Sequence, residues 1–141
     1  MIIGRFLNVD LEILSKVDLA PLAAELEQVG VVLHYGPTGN GYVLTFEADT
    51  VENGDPDGRI HSLCQIVEKL SPAGRALWRS ASHREFNVGL DATTEHVAAQ
   101  FALRRDTLRR ILRLRATLGM TVYKAEPEAQ KIDSMGRGLL A

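Results

Sequence analysis

The strongest helical period in the chain lies at residues 104–118, RRDTLRRILRLRATL. Leu108, Ile111 and Leu112 follow the i, i+3, i+4 spacing that places side chains on one face of a helix. This pattern predicts a buried stripe that packs on a sheet or core. Gly119 follows the helix and is the residue type that favours a left-handed C-terminal cap, so the sequence predicts that the helix ends there.

Arginines are the second feature of this helix. Residues 104–115 contain six arginines and one aspartate, a net charge of +5, whereas the whole chain has a net charge of −2. Side chains four residues apart stack along a helix, which puts Arg105, Arg109 and Arg113 in one column with Arg110 beside it. These four arginines are candidates for binding an acidic partner or an anion. The alternative is a solvated helix face held by local ion pairs.

An acidic segment at residues 47–57 has the opposite charge, with five carboxylates and no basic residue. Its spacing does not fit a calcium-binding EF-hand loop, because a loop that began at Asp49 would have Val51 and Ile60 at ligand positions. The segment is therefore interpreted as a solvated loop. The two charge clusters either neutralise each other, within one chain or across a dimer, or remain apart and orient a partner.

The remainder of the chain alternates between strand and helix patterns. Residues 7–13 alternate apolar and polar side chains with a period of two, which is typical of a half-buried strand. Asp55-Pro56 and Ser71-Pro72 each supply an N-cap residue followed by a first-turn proline. The predicted strands are 2–14, 31–35, 42–48, 84–90, 96–103 and 120–124, and the predicted helices are 19–29, 57–70, 72–81 and 104–118.

The sequence makes more specific predictions for some of these segments. Asp18 is the predicted N-cap of the helix at 19–29, and residues 31–35 (VVLHY) are interpreted as a buried strand. The glycine-rich segment 36–41 (GPTGNG) lies between two strands, so it predicts a hairpin rather than a phosphate-binding loop. Residues 96–103 could also form a helix, since alanine and glutamine favour one.

The predicted core combines the apolar faces of these elements. Cys64 lies within the apolar stripe of the helix at 57–70, so it is interpreted as a small buried side chain rather than a nucleophile. Trp78 is interpreted as a core or hinge anchor. The other predicted core residues are Leu7, Val9, Leu11, Leu22, Leu26, Leu44, Phe46, Leu63, Val67, Phe86, Val88, Leu108, Ile111 and Leu112.

Strands mixed with three or four helices predict an α+β fold in a single domain, residues 1–124, with helices packed on one face of a mostly antiparallel sheet. Residues 125–141 have no sustained period and are predicted to be an irregular tail. Residues 29–35 (VGVVLHY) and 118–123 (LGMTVY) both place a glycine before a strand that contains tyrosine. The two segments suggest a two-fold α–β pseudo-repeat.

The segment FALRRDTLRRILRLRATLGMTVY at 101–123 resembles a family of small bacterial domains of unknown function. In that family a strand leads into an F-x-L step, then into a leucine-patterned helix and a strand that ends in tyrosine. The resemblance implies an immunity-type or accessory protein without assigned catalysis, and it implies no site residues.

No sequence motif for catalysis or metal binding is present, and the four histidines are widely separated along the chain. The sequence therefore predicts no catalytic residue, no cofactor and no metal site. Asp10 and Glu12 are an exception to consider, because they share one face of the first strand. Paired carboxylates can perform acid–base chemistry or bind a divalent cation, and they also occur on solvated sheet faces.

Composition limits the class of protein. A length of 141 residues suits one domain, and a pI near 6.1 disfavours a nucleic-acid-binding protein. The chain lacks an 18-residue apolar run and has a single cysteine, so we expect a cytoplasmic protein that does not act in the membrane. The predicted function is non-enzymatic binding of another protein, with a homodimer as a possible assembly. The alternative is a small-molecule sensor or an enzyme whose site is not visible in the sequence.

Overall fold

The structure, a computed structural model, describes residues 4–48, 55–92 and 100–124. Within these ranges, five strands form one sheet in the order β2-β3-β1-β4-β5, and β4–β5 is the only parallel pair among them. The described residues form a single α+β domain with a mostly antiparallel sheet, which confirms the predicted fold class. The elements are β1 (Gly4–Ser15), α1 (Ala20–Leu26), β2 (Gly30–Thr38), β3 (Gly41–Ala48), α2 (Pro56–Glu68), α3 (Pro72–Ser80), β4 (His83–Ala92), α4 (Arg105–Arg113) and β5 (Thr117–Tyr123).

Strand β1 is the centre of the sheet, because it pairs with β3 along one side and with β4 along the other. Its alternation has the predicted effect: Val9, Leu11 and Ile13 are buried on the face that the helices cover, which we call the helix face. The opposite face, which we call the open face, carries Asp10 and Glu12, both partly exposed. The side chain of Leu7 lies outside the described part of the chain.

A single hydrophobic core fills the space between the helix face and the helices. Trp78 and Cys64 belong to it, as the sequence predicted. The other predicted core residues that are buried are Val9, Leu11, Leu22, Leu26, Leu44, Phe46, Leu63, Val67, Phe86, Val88 and Ile111. Leu108 and Leu112 are exceptions, because both side chains are exposed on α4.

The N-caps that the sequence predicted for α2 and α3 both form. The Asp55 carboxylate accepts a hydrogen bond from the amide of Gly58 at 2.6 Å, and the Ser71 hydroxyl accepts one from the amide of Gly74 at 3.0 Å. Each bond satisfies an amide that has no partner within its helix. The carboxylate of Glu25 in α1 binds the amide and the hydroxyl of Ser71, each at 2.7 Å, and thereby joins α1 to α3.

Helix α1 is shorter than predicted, and its N-cap residue is Leu19 rather than Asp18. The Asp18 carboxylate still accepts a hydrogen bond from the amide of Ala20 at 2.9 Å, and it also accepts one from the hydroxyl of Tyr35. These two hydrogen bonds lower the pKa of Asp18, with the bond from Tyr35 as the larger cause, and the bond between Tyr35 and Asp18 raises the pKa of Tyr35 to about 12. They tie the start of α1 to the edge of the sheet.

Strand β2 forms, but the prediction that it is buried is wrong. Val31 and Leu33 are about half exposed, at 47% and 48%, because β2 is an edge strand of the sheet. The register slips between Val32 and His34, so the strand does not keep a strict alternation of faces. The hairpin between β2 and β3 does form as predicted, with Gly39 in the left-handed region at φ 46°.

The predicted strand at 96–103 falls partly on residues 93–99, which lie outside the described part of the chain. Residues 100–103 precede α4 and form neither a strand nor a helix. The predicted tail, residues 125–141, also lies outside the described part of the chain. The two segments of the predicted pseudo-repeat contain most of β2 and β5, the two edge strands of the sheet. The two strands differ in direction relative to their neighbours, because β2 pairs antiparallel with β3 whereas β5 pairs parallel with β4.

Helix α4 ends at Arg113, five residues before the predicted end at residue 118. Arg115 has φ 56° and takes the left-handed position that we predicted for Gly119. The amide of Arg115 donates to the carbonyl of Leu112 at 3.0 Å, and the amide of Ala116 donates to the carbonyl of Ile111 at 3.1 Å. This is the Schellman pattern of helix termination.

Side chains from α3 and β4 hold this helix end in place. The buried indole of Trp78 donates to the carbonyl of Leu114 at 3.1 Å, and the guanidinium of Arg84 donates to the carbonyl of Arg115 at 3.1 Å. Because the last carbonyls have these partners, the chain can leave the helix early and begin β5 at Thr117. Gly119 therefore lies inside β5 and not in a cap.

Candidate functional site on helix α4, with the open face of the sheet

Helix α4 is rotated relative to the prediction. Its buried side chains are Thr107, Ile111 and Leu114, each at most 4% exposed. Leu108 and Leu112 were predicted to be buried, but they are 41% and 74% exposed. The buried line follows the spacing i, i+4, i+7, which is as regular as the predicted one but lies on a neighbouring part of the helix surface.

Polar contacts on the side of α2 explain this rotation. The amide of Arg104 donates to the carboxylate of Asp57 at 2.8 Å, where both helices begin. Two turns later, the guanidinium of Arg110 binds the carboxylate of Glu68 at 2.9 Å, near the end of α2. Because these two contacts fix α4 against α2, the side of α4 that carries Thr107, Ile111 and Leu114 faces the core, and Leu112 faces outward.

The candidate arginines separate into two groups. Arg105, Arg109 and Arg113 are exposed, as the predicted column requires. Arg110 has a side chain only 24% exposed and also pairs with Asp106 at 3.2 Å, so its charge serves the contact with α2. Its position supports the alternative of local ion pairs for this one residue.

The acidic segment meets the basic helix at one described position. Asp57 contacts Arg104 both through the backbone amide and through the guanidinium, the latter at 3.7 Å. Asp55 instead caps α2. Residues 49–54 of this segment lie outside the described part of the chain.

Strand β5 adds apolar side chains on the same side of the sheet. Met120 and Val122 pair in register with Val88 and Leu90 of the helix face, yet they are 67% and 62% exposed. We define the α4–β5 surface as the exposed residues Arg105, Leu108, Arg109, Leu112, Arg113, Met120 and Val122. It combines three positive charges with four large apolar side chains.

The open face of the sheet contains the other predicted pair. The Asp10 carboxylate accepts a hydrogen bond from the side-chain amide of Asn8 at 3.2 Å. Partial burial raises the pKa of Asp10, and the nearby carboxylates of Glu47 and Glu12 raise it further. The Asp10 environment therefore disfavours its charged form.

Glu12 has neighbours that the sequence did not reveal. It lies directly opposite Glu85 in the register of β1 and β4, and His83 lies on the same face of β4. The His83 Nε2 atom is 3.8 Å from the Glu12 carboxylate and 3.6 Å from that of Glu85. One ligand atom from each of these residues lies within 4.8 Å of the others, a spacing that could hold a metal ion.

Two further residues fix the position of Glu85. The side-chain amide of Asn87 donates to Glu85 Oε2 at 3.0 Å, and the hydroxyl of Thr121 donates to the amide oxygen of Asn87 at 3.0 Å. Gly119 lies beneath the carboxylate, since a Cβ atom at this position would be 2.7 Å from the Glu85 Oε2 atom. The spacing of His83 and Glu85 on alternate strand positions was the available sequence signal for this cluster.

Cys64 is unsuited to act as a nucleophile. It is fully buried in α2, and burial, followed by the charge of Glu68, raises its pKa to about 12. A thiol needs to form a thiolate and to reach its substrate. The structure therefore agrees with the interpretation of Cys64 as a packing residue.

Comparisons of the chain with protein-family models, with curated proteins and with solved structures returned no match. Within residues 4–48, 55–92 and 100–124, none of the helices has the length and hydrophobicity needed to cross a membrane.

Proposed function

We propose that this protein is a non-enzymatic protein-binding module of the immunity or accessory type, which docks its partner on the α4–β5 surface. The observation that carries the proposal is the exposure of Leu108 and Leu112 beside the arginine column. An amphipathic helix normally places such leucines in the core. Here the core takes a different line of residues and leaves the leucines on the surface.

The composition of the α4–β5 surface indicates the chemistry of the partner. Interface cores are enriched in methionine and arginine and depleted in lysine and carboxylates, and the described surface has this composition. Arg105, Arg109 and Arg113 are complementary to carboxylates, while Leu112 and Met120 are complementary to apolar side chains. The partner we propose is an amphipathic protein segment with carboxylates beside an apolar stripe.

A second copy of this chain is a poorer fit to the same surface. A two-fold symmetric contact presents the same patch from both subunits, so the arginine column would face itself if the contact were centred on α4. Like charges that face each other oppose association. We therefore propose a different protein as the occupant of this surface.

The test compares two surface variants with a matched control. Arg109→Glu reverses one charge of the column, and Leu112→Glu places a carboxylate in the apolar part. Arg79→Glu changes an exposed arginine on α3 and is the control. A partner captured from native lysate is purified, and its association with each variant is measured by stopped-flow or surface plasmon resonance at low and high salt.

We expect Arg109→Glu to slow association most strongly at low ionic strength, because salt screens charge steering. Leu112→Glu should weaken the complex at all salt concentrations, and Arg79→Glu should behave as the natural chain. Equal association of all three variants would contradict docking on the α4–β5 surface. Reproducible turnover in a substrate screen, with no partner captured, would contradict a protein-binding function.

A further inference from the structure

We propose that Glu12, His83 and Glu85 form a binding site for a divalent transition-metal ion on the open face of the sheet. This site lies on the face of the sheet opposite the helices and is independent of the α4–β5 surface. The three residues come from two central strands, β1 and β4, whose register fixes their relative positions.

The distances within the cluster fit ligands that share a cation. His83 Nε2 is 3.8 Å from a carboxylate oxygen of Glu12 and 3.6 Å from one of Glu85, which is too long for a hydrogen bond. Two donor atoms that each lie about 2.1 Å from a tetrahedral cation are separated by about 3.4 Å. Small movements of the side chains would therefore bring all three donor atoms to one ion.

The charges of the cluster also favour a cation. Glu12 and Glu85 are directly opposed across β1 and β4, and like charges in such a pair destabilise a sheet. The strand positions that surround the cluster on the open face are Asp10, Leu14, Thr45, Asn87, Thr117 and Gly119, none of which is basic. A cation between the carboxylates would replace their repulsion by attraction.

The surroundings orient Glu85 as a ligand. Asn87 binds the Oε2 atom of Glu85 at 3.0 Å, which leaves Oε1 towards His83. Hydrogen bonds of this kind hold ligating carboxylates in position at metal centres. Gly119 provides the space for the carboxylate, because any side chain there would collide with it.

The donor set selects the class of ion. An imidazole nitrogen with two carboxylates suits zinc, iron or manganese, whereas calcium and magnesium prefer oxygen donors alone. The three side chains are between 21% and 43% exposed, so an ion could enter from solvent. Three protein ligands leave a fourth position for water or for a donor atom of another molecule.

The test is titration of the purified full chain with Zn²⁺ alone, in which isothermal titration calorimetry measures the heat of binding. We expect one Zn²⁺ per chain, and we expect Glu85→Gln and His83→Ala each to weaken binding at least about tenfold. Gly119→Ala should weaken binding as well, although it removes no ligand, because it displaces the Glu85 carboxylate. The matched controls are His34→Ala and Glu47→Gln, which change the same residue types on the same face.

Circular dichroism without metal checks that each variant is folded, and thermal melting with Zn²⁺ provides a second measurement. Binding of an ion to the native state alone raises the melting temperature, so this rise should be lost in Glu85→Gln and retained in Glu47→Gln. Absence of Zn²⁺ binding in the natural chain would overturn the proposal. Binding that persists in both Glu85→Gln and His83→Ala would also overturn it.

Discussion

Helices α2 and α4 have similar apolar patterns but different relations to the core. In α2 the predicted stripe of Ile60, Leu63, Cys64, Val67 and Leu70 is buried at its first four members, and Leu70, which follows the end of the helix, is partly buried. In α4 the predicted stripe is divided, since Ile111 is buried while Leu112 is mostly exposed. The difference arises from position: α2 packs against the strands β1 and β3, whereas α4 packs mainly against α2 and has only a slight contact with the edge strand β5.

This comparison shows how the surroundings of a helix determine which face is buried. A helix over the centre of a sheet has apolar neighbours on a broad arc, so any apolar stripe is drawn inward. A helix at the edge has fewer such neighbours, and polar contacts at its ends can decide its rotation. In α4 these are the bonds of Arg104 to Asp57, Arg110 to Glu68 and Trp78 to the carbonyl of Leu114.

Thiol labelling should give the largest difference between the two helices. Cys64 is buried and its pKa is raised to about 12, so a thiol reagent should modify it only when the protein unfolds. A second thiol introduced by Leu112→Cys should react as rapidly as one in an unfolded chain. Stopped-flow labelling of this variant should therefore show one fast and one slow thiol. Rapid labelling of both would contradict the burial of Cys64.

Truncation of one leucine in each helix should differ by several kcal/mol. Leu63→Ala removes a fully buried side chain of α2 and should lower the free energy of unfolding by about 2–5 kcal/mol. Leu112→Ala should change it by less than about 0.5 kcal/mol, because the side chain is already in water. Urea denaturation measures both values. A loss above about 2 kcal/mol for Leu112→Ala would show that α4 buries the face that the sequence predicted.

The bond from Trp78 to the end of α4 can be removed with Trp78→Phe. This change leaves the carbonyl of Leu114 buried without its donor and should cost about 1–3 kcal/mol, in addition to the lost packing. Hydrogen exchange should show that the amides of α4 become less protected than those of α2. Equal loss of protection in both helices would indicate that Trp78 contributes only to packing.

The smallest effect concerns the left-handed residue that follows α4. Arg115→Gly relieves the strain of φ 56° and should raise the free energy of unfolding by up to about 1 kcal/mol. Arg109→Gly, within the same helix, is the control and should lower it by about 1 kcal/mol. Thermal and urea denaturation provide the comparison. Destabilisation by Arg115→Gly would mean that its side chain contributes more than its backbone costs.

The central elements were predictable because several independent signals agreed. The sequence of β1 alternates apolar and polar residues at 7–13, and α2 combines the Asp55 cap and Pro56 with a long apolar stripe. The edges were less predictable, because an apolar strand such as VVLHY looks the same whether one or both of its sides are paired. Strand β2 is apolar in sequence and yet lies at the edge of the sheet.

The candidate sites show the same division. The sequence predicted that Arg105, Arg109 and Arg113 share one exposed side of the helix, because such a column depends only on local spacing, but it did not predict that Arg110 pairs with Glu68. It did not identify the cluster of Glu12, His83 and Glu85, because Glu12 is about 70 residues from the other two and only the pairing of β1 with β4 joins them.

The sequence by itself determined the class of each main element, the faces of β1 and α2, and the starts of α2 and α3, since these depend on contacts between residues close along the chain. Only the tertiary structure decided the rotation and early end of α4, the exposure of β2 and the joining of Glu12 to His83 and Glu85. These features depend on partners distant in sequence, such as Trp78 for α4 and Glu85 for Glu12. Local periodicity specifies which side chains share a face, and long-range packing decides whether that face meets the core, the solvent or another group.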